Sequence, residues 1–274
     1  MTWVLVVGVG LGAGAAPVEA RPAHGRRPGH PAAQPPLRPV ALPVLSDLLD
    51  RTGLSPLLDY LLGWDLSAPP SRPVPLAVVA RVTASTVRVS GRACGFTVAG
   101  SGFSPAPDTV VTNAHVVAGM VAPQVLRPDG RGLAATVQVF DPDRDVAVLS
   151  VPGLAEPSLP LGEATVGETG AIFGHPGGQA AVEVLPARVD RDVPAQVDNL
   201  YGTPVDRRIL VLTARVRPGD SGAPLVDPAG RVVGMAFAVS SLNPSRSFAI
   251  ARDEIDPVLA QPRTGAVSTG PCLS

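Results

Sequence analysis

From about residue 77 the chain alternates short apolar runs with turn residues, and each run has the length of a strand. The runs are Thr86–Ser90, Gly95–Val98, Val110–Thr112, Ala135–Phe140 and Val146–Val151, then Gly170–Gly174, Ala180–Val189, Ile209–Val216, Ala223–Val226, Arg231–Ala238 and Ser247–Ile250. Asp253–Gln261 has the spacing of a closing helix. With a strand about every 8–12 residues, the pattern predicts an all-β domain of two packed antiparallel six-stranded barrels. The halves would run over about 77–160 and 161–274, with a cleft between them.

Upstream the periodicity is different. Leu45, Leu48 and Leu49, then Leu57, Leu58, Leu61 and Leu62, recur at helical spacing, and Thr52-Gly53 and Ser55-Pro56 divide them into two short amphipathic helices. Residues 21–44 and 67–76 are Pro-rich and aperiodic, so 21–76 reads as a linker carrying those helices. Trp3 to Val18 is free of charge. It is short of the roughly 20 apolar residues of a spanning helix and nearer in length to the core of a signal peptide. Val18-Glu19-Ala20 is a candidate cleavage site, but no basic residue precedes the run and Arg21, Arg26 and Arg27 follow it. Residues 1–20 are therefore a signal peptide or the remnant of a membrane region. Both place the protein outside the cytoplasm, periplasmic or secreted, with membrane association through this segment.

Composition narrows the chemistry. Hydrophobic residues make up 45% of the chain, enough for a core, and Pro 32 with Gly 29 suits a turn-rich β protein. The net charge of −1 gives no reason to expect nucleic acid as a partner. All 22 basic residues are arginine. Without lysine there is no Ser–Lys dyad, no Schiff-base lysine and no phosphate-loop lysine. No metal cluster or nucleotide loop is apparent, because Gly8-Val9-Gly10 lies in the apolar N-terminus rather than after a strand of a βαβ unit. No cofactor is expected. The two cysteines, Cys94 and Cys272, are either unrelated buried thiols or a disulfide tying the tail to the first barrel. A bridge closing so long a loop is worth up to about 4–5 kcal/mol and needs an oxidising compartment.

The sharpest motif is Pro218-Gly219-Asp220-Ser221-Gly222-Ala223-Pro224. Serine is a weak nucleophile unless a base takes its proton and a third group orients that base. A Gly-Asp-Ser-Gly turn lets the Ser221 hydroxyl and the N–H groups of Gly219 and Ser221 converge on one carbonyl, the latter two as an oxyanion hole. Four histidines compete as base. His24 and His30 lie in the linker, and His175, in Gly174-His175-Pro176-Gly177-Gly178, reads as a surface turn residue. His115, in Thr112-Asn113-Ala114-His115-Val116-Val117, follows an apolar strand that can hold its ring rigidly. Asp141, Asp143 and Asp145 compete as orienting acid. Asp145 leads into the strand Val146-Ala147-Val148-Leu149, whereas the others sit in a Pro-containing turn. The order His, Asp, Ser along the chain separates this arrangement from those of subtilisins and α/β-hydrolases.

These motifs resemble the trypsin-like, chymotrypsin-fold serine proteases. More narrowly, residues 80–274 resemble the membrane-anchored periplasmic serine proteases of actinobacteria, the MarP type. The resemblance rests on Gly102-Phe103, Val111-Thr112-Asn113-Ala114-His115-Val116-Val117-Ala118-Gly119, Asp141-Pro142 with Asp145-Val146-Ala147, Gly174 with Pro176-Gly177-Gly178, Gly219-Asp220-Ser221-Gly222, and the ending Thr269-Gly270 with Cys272 and Ser274. It implies a serine endopeptidase acting on polypeptides, with His115, Asp145 and Ser221 as its triad and a Cys94–Cys272 disulfide. The segment 42–62 resembles the stalk that precedes the protease in that family. Arg215, the sixth residue before the nucleophile, stands where the clan often places the floor of its primary specificity pocket. Two departures are visible. A single apolar run stands in place of a multi-span colicin V production-type domain, and Ala223 replaces the usual second glycine after the nucleophile. A methyl there has to be accommodated by a tight turn. Ala223 is accordingly the one feature favouring a non-catalytic module that binds peptides or an envelope partner through the same cleft. An esterase using the same groups is a third reading.

Overall fold

The computed structural model describes residues 74–240 and 243–273. The apolar run Trp3–Val18, the leucine segment 42–62 and the linker up to residue 73 lie outside them. The described chain opens with α1 (Leu76–Ser85), whose buried Val78 and Val82 are one turn apart. Strands β1 (Thr86–Ala93), β2 (Phe96–Ala106) and β3 (Thr109–Thr112) lead to the one-turn helix α2 (Ala114–Val117). Strands β4 (Met120–Leu126), β5 (Gly132–Ala134), β6 (Thr136–Asp141) and β7 (Val146–Ser150) complete the first half. All neighbours in its seven-stranded sheet, ordered β5-β4-β1-β2-β3-β7-β6, are antiparallel.

The second half contains β8 (Thr169–Gly174), β9 (Glu183–Asp198), β10 (Pro204–Thr213), β11 (Pro224–Val226), β12 (Val232–Val239) and β13 (Arg246–Ala251). They close into a six-stranded barrel, β10-β13-β12-β11-β8-β9. Helix α3 (Arg252–Leu259) follows, burying Ile255 and Val258. This is the chymotrypsin-like architecture of two curled antiparallel sheets with a short closing helix. No helix among the described residues is long and apolar enough to cross a membrane.

The first sheet carries more strands than the apolar pattern predicts, for local reasons. In β4, Pro123 and the left-handed Ala122 break the alternation. β5 is a three-residue strand with no buried position. Helix α1 is hidden by Val-rich composition, which favours strand on propensity until burial of one helical face overrides it. The β9–β10 hairpin also runs well past the expected Ala180–Val189 and Ile209–Val216. Its outer part is polar and Pro-containing (Arg191-Asp192-Val193-Pro194, Asp206-Arg207-Arg208) and pairs as a ribbon with register Asp198↔Pro204 to Val211↔Arg191. That extension reaches the loop before Asp145, at Pro142 and Asp143.

Three apolar clusters fill the molecule. One, with Val87, Val110, Val125 and Leu149, lies within the first sheet, and another, with Ile172, Leu210, Leu212 and Leu225, fills the second barrel. The third joins the halves through Val82, Phe103, Val148, Phe173, Met235 and Ile255. Apolar surface shared between the halves fixes them as a unit and so fixes the groups that face each other across them.

Candidate active site

Buried Thr112 and Asn113 end β3 and deliver His115 on α2. Across the first sheet, β3 pairs with β7, so Thr112 lies opposite Ala147, two residues after Asp145. Asp145 is fully buried and left-handed, at φ 55°. Its carboxylate takes three contacts from His115: the backbone N–H donates to Oδ1 at 2.9 Å, and Nδ1 lies 2.8 Å from Oδ2 and 3.1 Å from Oδ1. Since a carboxylate accepts, Nδ1 carries a proton, and in the neutral imidazole that leaves the lone pair on Nε2. Asn113 Nδ2 donates to the Asp145 carbonyl at 3.0 Å, securing the unusual backbone of the acid.

The neighbouring aspartates have other partners. Asp141 Oδ1 accepts the N–H groups of Asp143 and Arg144 and closes the turn, as Asx side chains do. Asp143 Oδ1 accepts from Asn199 Nδ2 at 2.7 Å, at the tip of the β9–β10 hairpin. From β10, the buried Arg207 donates through Nε to the Asp143 carbonyl and through Nη2 to the Pro142 carbonyl at 3.4 Å. Burial lowers the Arg207 pKa, against the opposing charges of Asp145, Glu254, Asp141 and Asp143. The loop carrying Asp145 is thus held from the second half by a cation. The sequence pattern does not reveal this clamp, because the charged, Pro-containing ribbon that supplies it does not alternate like a strand.

Ser221 lies in the loop between β10 and β11, and this loop is held through its main chain. Gly177 N–H donates to the Pro218 carbonyl at 2.7 Å. The Gly219 carbonyl accepts from Ser101 Oγ at 2.8 Å. The Asp220 carbonyl accepts from Ala223 N–H at 2.9 Å, and the Ser221 carbonyl from Ser101 N–H at 2.8 Å. Asp220 and Gly222 N–H groups donate to Arg217 and Ala236 carbonyls at 3.0 and 2.9 Å. Among the described residues, the Gly219 and Ser221 N–H groups have no acceptor in the protein. No peptide here is cis, so each N–H points opposite the carbonyl of its own peptide unit. With the Pro218 carbonyl turned to Gly177, the Gly219 N–H is aimed away from Gly177.

Glycine is required twice in this loop. Gly219, at φ 98°, passes so close to the His175–Gly178 turn that a Cβ would lie 2.8 Å from Gly177 N. Gly222, at φ 88°, would drive a Cβ into the Ser101 carbonyl oxygen. Ala223 has neither constraint. Its φ is not positive, and its methyl is buried in the apolar cluster of the second barrel, so the turn takes the extra carbon without crowding. Gly100 lies between α2 and the loop: a Cβ there would fall 2.7 Å from Val116 Cγ2 and 3.0 Å from the Ser221 carbonyl.

One sequence expectation changes. His175 is not a surface residue: it is buried, donates its N–H to Ser101 Oγ at 2.9 Å, and places Nδ1 3.1 Å from the Gln179 carbonyl. Burial lowers its pKa. Only the start of the turn is covered: His175 and Pro176 are buried, whereas Gly177 and Gln179 are exposed. Arg215, two residues past the end of β10, is exposed between the buried Ala214 and Val216. Cys94 and Cys272 form a disulfide with Cα atoms 5.8 Å apart. The tail beside it is held by Gly119 N–H on the Thr269 carbonyl, two residues past α2.

The family model described as a trypsin-like peptidase domain matches residues 100–235. The crystal structure of the Rv3671c protease from Mycobacterium tuberculosis in its active form is 35% identical, with a TM-score of 0.73 over 76% of this chain and 94% of that one. The chain belongs to the trypsin-like serine proteases. An inactive form of the Rv3671c protease matches at 34% identity with a TM-score of 0.63, over 71% of this chain and 96% of that one. Over full sequences, serine protease Rv3671c is 35% identical across 241 residues, 84% of this chain and 60% of that protein. This trypsin-like chain therefore spans about three-fifths of the length of that curated relative. A protein of Halomonas elongata named as a DegP-like periplasmic serine endoprotease is 34% identical over 183 residues, 62% of this chain and 36% of the relative.

Proposed function

We propose that this protein is an extracytoplasmic serine endopeptidase that cleaves polypeptides through an acyl-enzyme. One observation carries the reading. A buried carboxylate holds the Nδ1 proton of His115, while the N–H groups of loop 218–222 left without an acceptor are those of Gly219 and Ser221. His115 Nε2 takes the Ser221 proton as Oγ attacks the scissile carbonyl, then returns it to the departing amine. Asp145 fixes the tautomer and stabilises the imidazolium without taking the proton. The Gly219 and Ser221 N–H groups receive the oxyanion, and losing one such donor costs about 2.7–4 kcal/mol of transition-state stabilisation. The higher TM-score to the active form than to the inactive form of the Rv3671c protease supports a formed site. The disulfide and the periplasmic relative support action outside the cytoplasm.

A fluorophosphonate probe on the full chain and on Ser221→Ala tests this directly. Labelling of the parent alone, with cleavage of an unfolded protein substrate lost in the variant, is expected. Equal labelling or equal cleavage by the variant overturns the assignment of Ser221. A folded, unreactive parent puts the peptide-binding module in its place.

A further inference from the structure

We infer that Ser101 is a positioning residue for the oxyanion loop, an inference that rests on the protease reading above. Ser101 lies in the middle of β2, is fully buried, and uses all of its polar atoms on groups around the nucleophile. Its backbone N–H donates to the Ser221 carbonyl at 2.8 Å. Its carbonyl accepts from Thr112 Oγ1 at 2.6 Å, at the end of the strand that leads to His115. The hydroxyl lies 2.9 Å from the His175 nitrogen and 2.8 Å from the Gly219 oxygen. The direction of its proton follows from chemistry alone. A backbone N–H can only donate, so the hydroxyl accepts from His175 and must give its own proton to the Gly219 carbonyl.

This relay matters because Gly219 has little of its own to hold it. A glycine peptide unit turns over readily, and a turned unit would carry the Gly219 N–H away from the acyl oxygen. Ser101 Oγ on the Gly219 carbonyl, and Gly177 N–H on the Pro218 carbonyl, fix the two peptide units that set the direction of that N–H. Arg88 Nη1 in turn donates to the Gly178 carbonyl at 2.7 Å, which ties the same turn to β1. The second half supplies the oxyanion donors, and the first half sets their orientation. Removing the hydroxyl leaves a buried N–H at His175 and a partly buried carbonyl at Gly219 without this partner, which favours rearrangement of the loop.

The test uses the full chain with Ser101→Ala, Ser101→Cys and Ser104→Ala. Ser104 is a second buried β2 serine, whose hydroxyl donates locally to the Ala106 carbonyl and touches nothing in the loop. Active sites are counted with a fluorophosphonate taken to completion, and kcat and KM for a peptide amide are expressed per counted site. Ser101→Ala is expected to lower kcat about 10- to 100-fold with KM within about threefold, since misplacement by an ångström costs about that much. Ser101→Cys, a weaker donor, is expected to fall between, and Ser104→Ala to stay within about twofold of the parent, as for a hydroxyl remote from the reacting groups. A merely structural role would lower the number of countable sites and leave kcat per site unchanged, which overturns the inference. So does an equal fall in Ser104→Ala. If Ser101→Ala does not fold, Ser101→Cys decides, and parental kcat in that variant overturns the inference. A parent with no turnover fails the protease reading itself, and this inference fails with it.

Discussion

The two halves of the molecule contribute to the site in different ways. The first sheet supplies side-chain chemistry: an imidazole and a carboxylate joined by two kinds of contact, ring to carboxylate and backbone to carboxylate. The second barrel supplies main-chain chemistry: a glycine-bearing loop in which the carbonyls of residues 218–221 are tied down, while the Gly219 and Ser221 N–H groups have no acceptor among the described residues. The first half is vulnerable to any change of functional group. In the second half the backbone path is what matters, and side chains count mainly by being absent, as at Gly219 and Gly222, or compact, as at Ala223.

The strongest way to break that contrast is to mutate one residue of each kind and read activity and stability together. His115→Ala and Asp145→Asn are expected to lower kcat/KM by about ten-thousand-fold or more, and His115→Ala also to lower the thermal midpoint, because it leaves the buried Asp145 carboxylate without its ring partner. Gly222→Ala is expected to lose activity and folding cooperativity together, because its methyl occupies the Ser101 carbonyl. Scanning calorimetry beside peptide kinetics checks both. A Gly222→Ala protein as stable as the parent would show that backbone path is not what constrains this loop.

Arg207 tests where the two halves depend on each other. It extends from the second barrel to the carbonyls of Pro142 and Asp143, just before the acid. Arg207→Gln keeps part of the hydrogen bonding and removes the charge. Losing such partly buried hydrogen bonds costs about 1–3 kcal/mol, so urea unfolding is expected to report a loss of about that size. A tenfold or smaller fall in kcat/KM should accompany it as the Asp145 loop loosens. Unchanged stability would mean that the clamp contributes nothing.

How far the sequence reveals all this follows the same division. His115 and Asp145 stand at strand ends, where apolar periodicity stops and polar chemistry begins, so pattern alone isolates them from three other histidines and two other aspartates. Ser221 announces itself through its flanking glycines. The groups that orient these residues leave no such trace. Ser101 is one small residue among Ala99, Gly100 and Gly102, and its role depends on two partners more than 70 positions away. Arg207 sits in a ribbon whose Asp, Arg and Pro content reads as loop. His175 looks like a turn residue because the covering strand and loop come from distant parts of the chain. Local periodicity reports which face is buried; it carries no information about what a buried polar group will meet across the fold.

The smallest effect concerns the other buried carboxylate, Asp220, on the second-half side of the comparison. Burial raises its pKa to about 6, against the lowering pull of the Arg217 N–H and guanidinium, and Glu183 adds to the rise. Oδ2 accepts the Arg217 N–H at 2.8 Å, while Oδ1 is buried without a partner. The Arg217 guanidinium is itself engaged, 2.6 Å from Glu183. An unfolded aspartate titrates near 3.8, so between that value and about 6 the folded protein binds more proton than the unfolded one. Stability contributed at this group is therefore greatest below about pH 4, falls as pH rises towards 6, and is level above it. The amplitude is at most about 3 kcal/mol, from two units at 1.36 kcal/mol each. Asp220→Asn removes the titration. Urea unfolding of parent and variant at pH 4, 5, 6 and 7 should show the stability difference, variant minus parent, growing by about 1–3 kcal/mol across the series. A difference that stays flat would mean Asp220 ionises in the fold as it does in water, and that the nucleophile turn is better solvated than its burial implies.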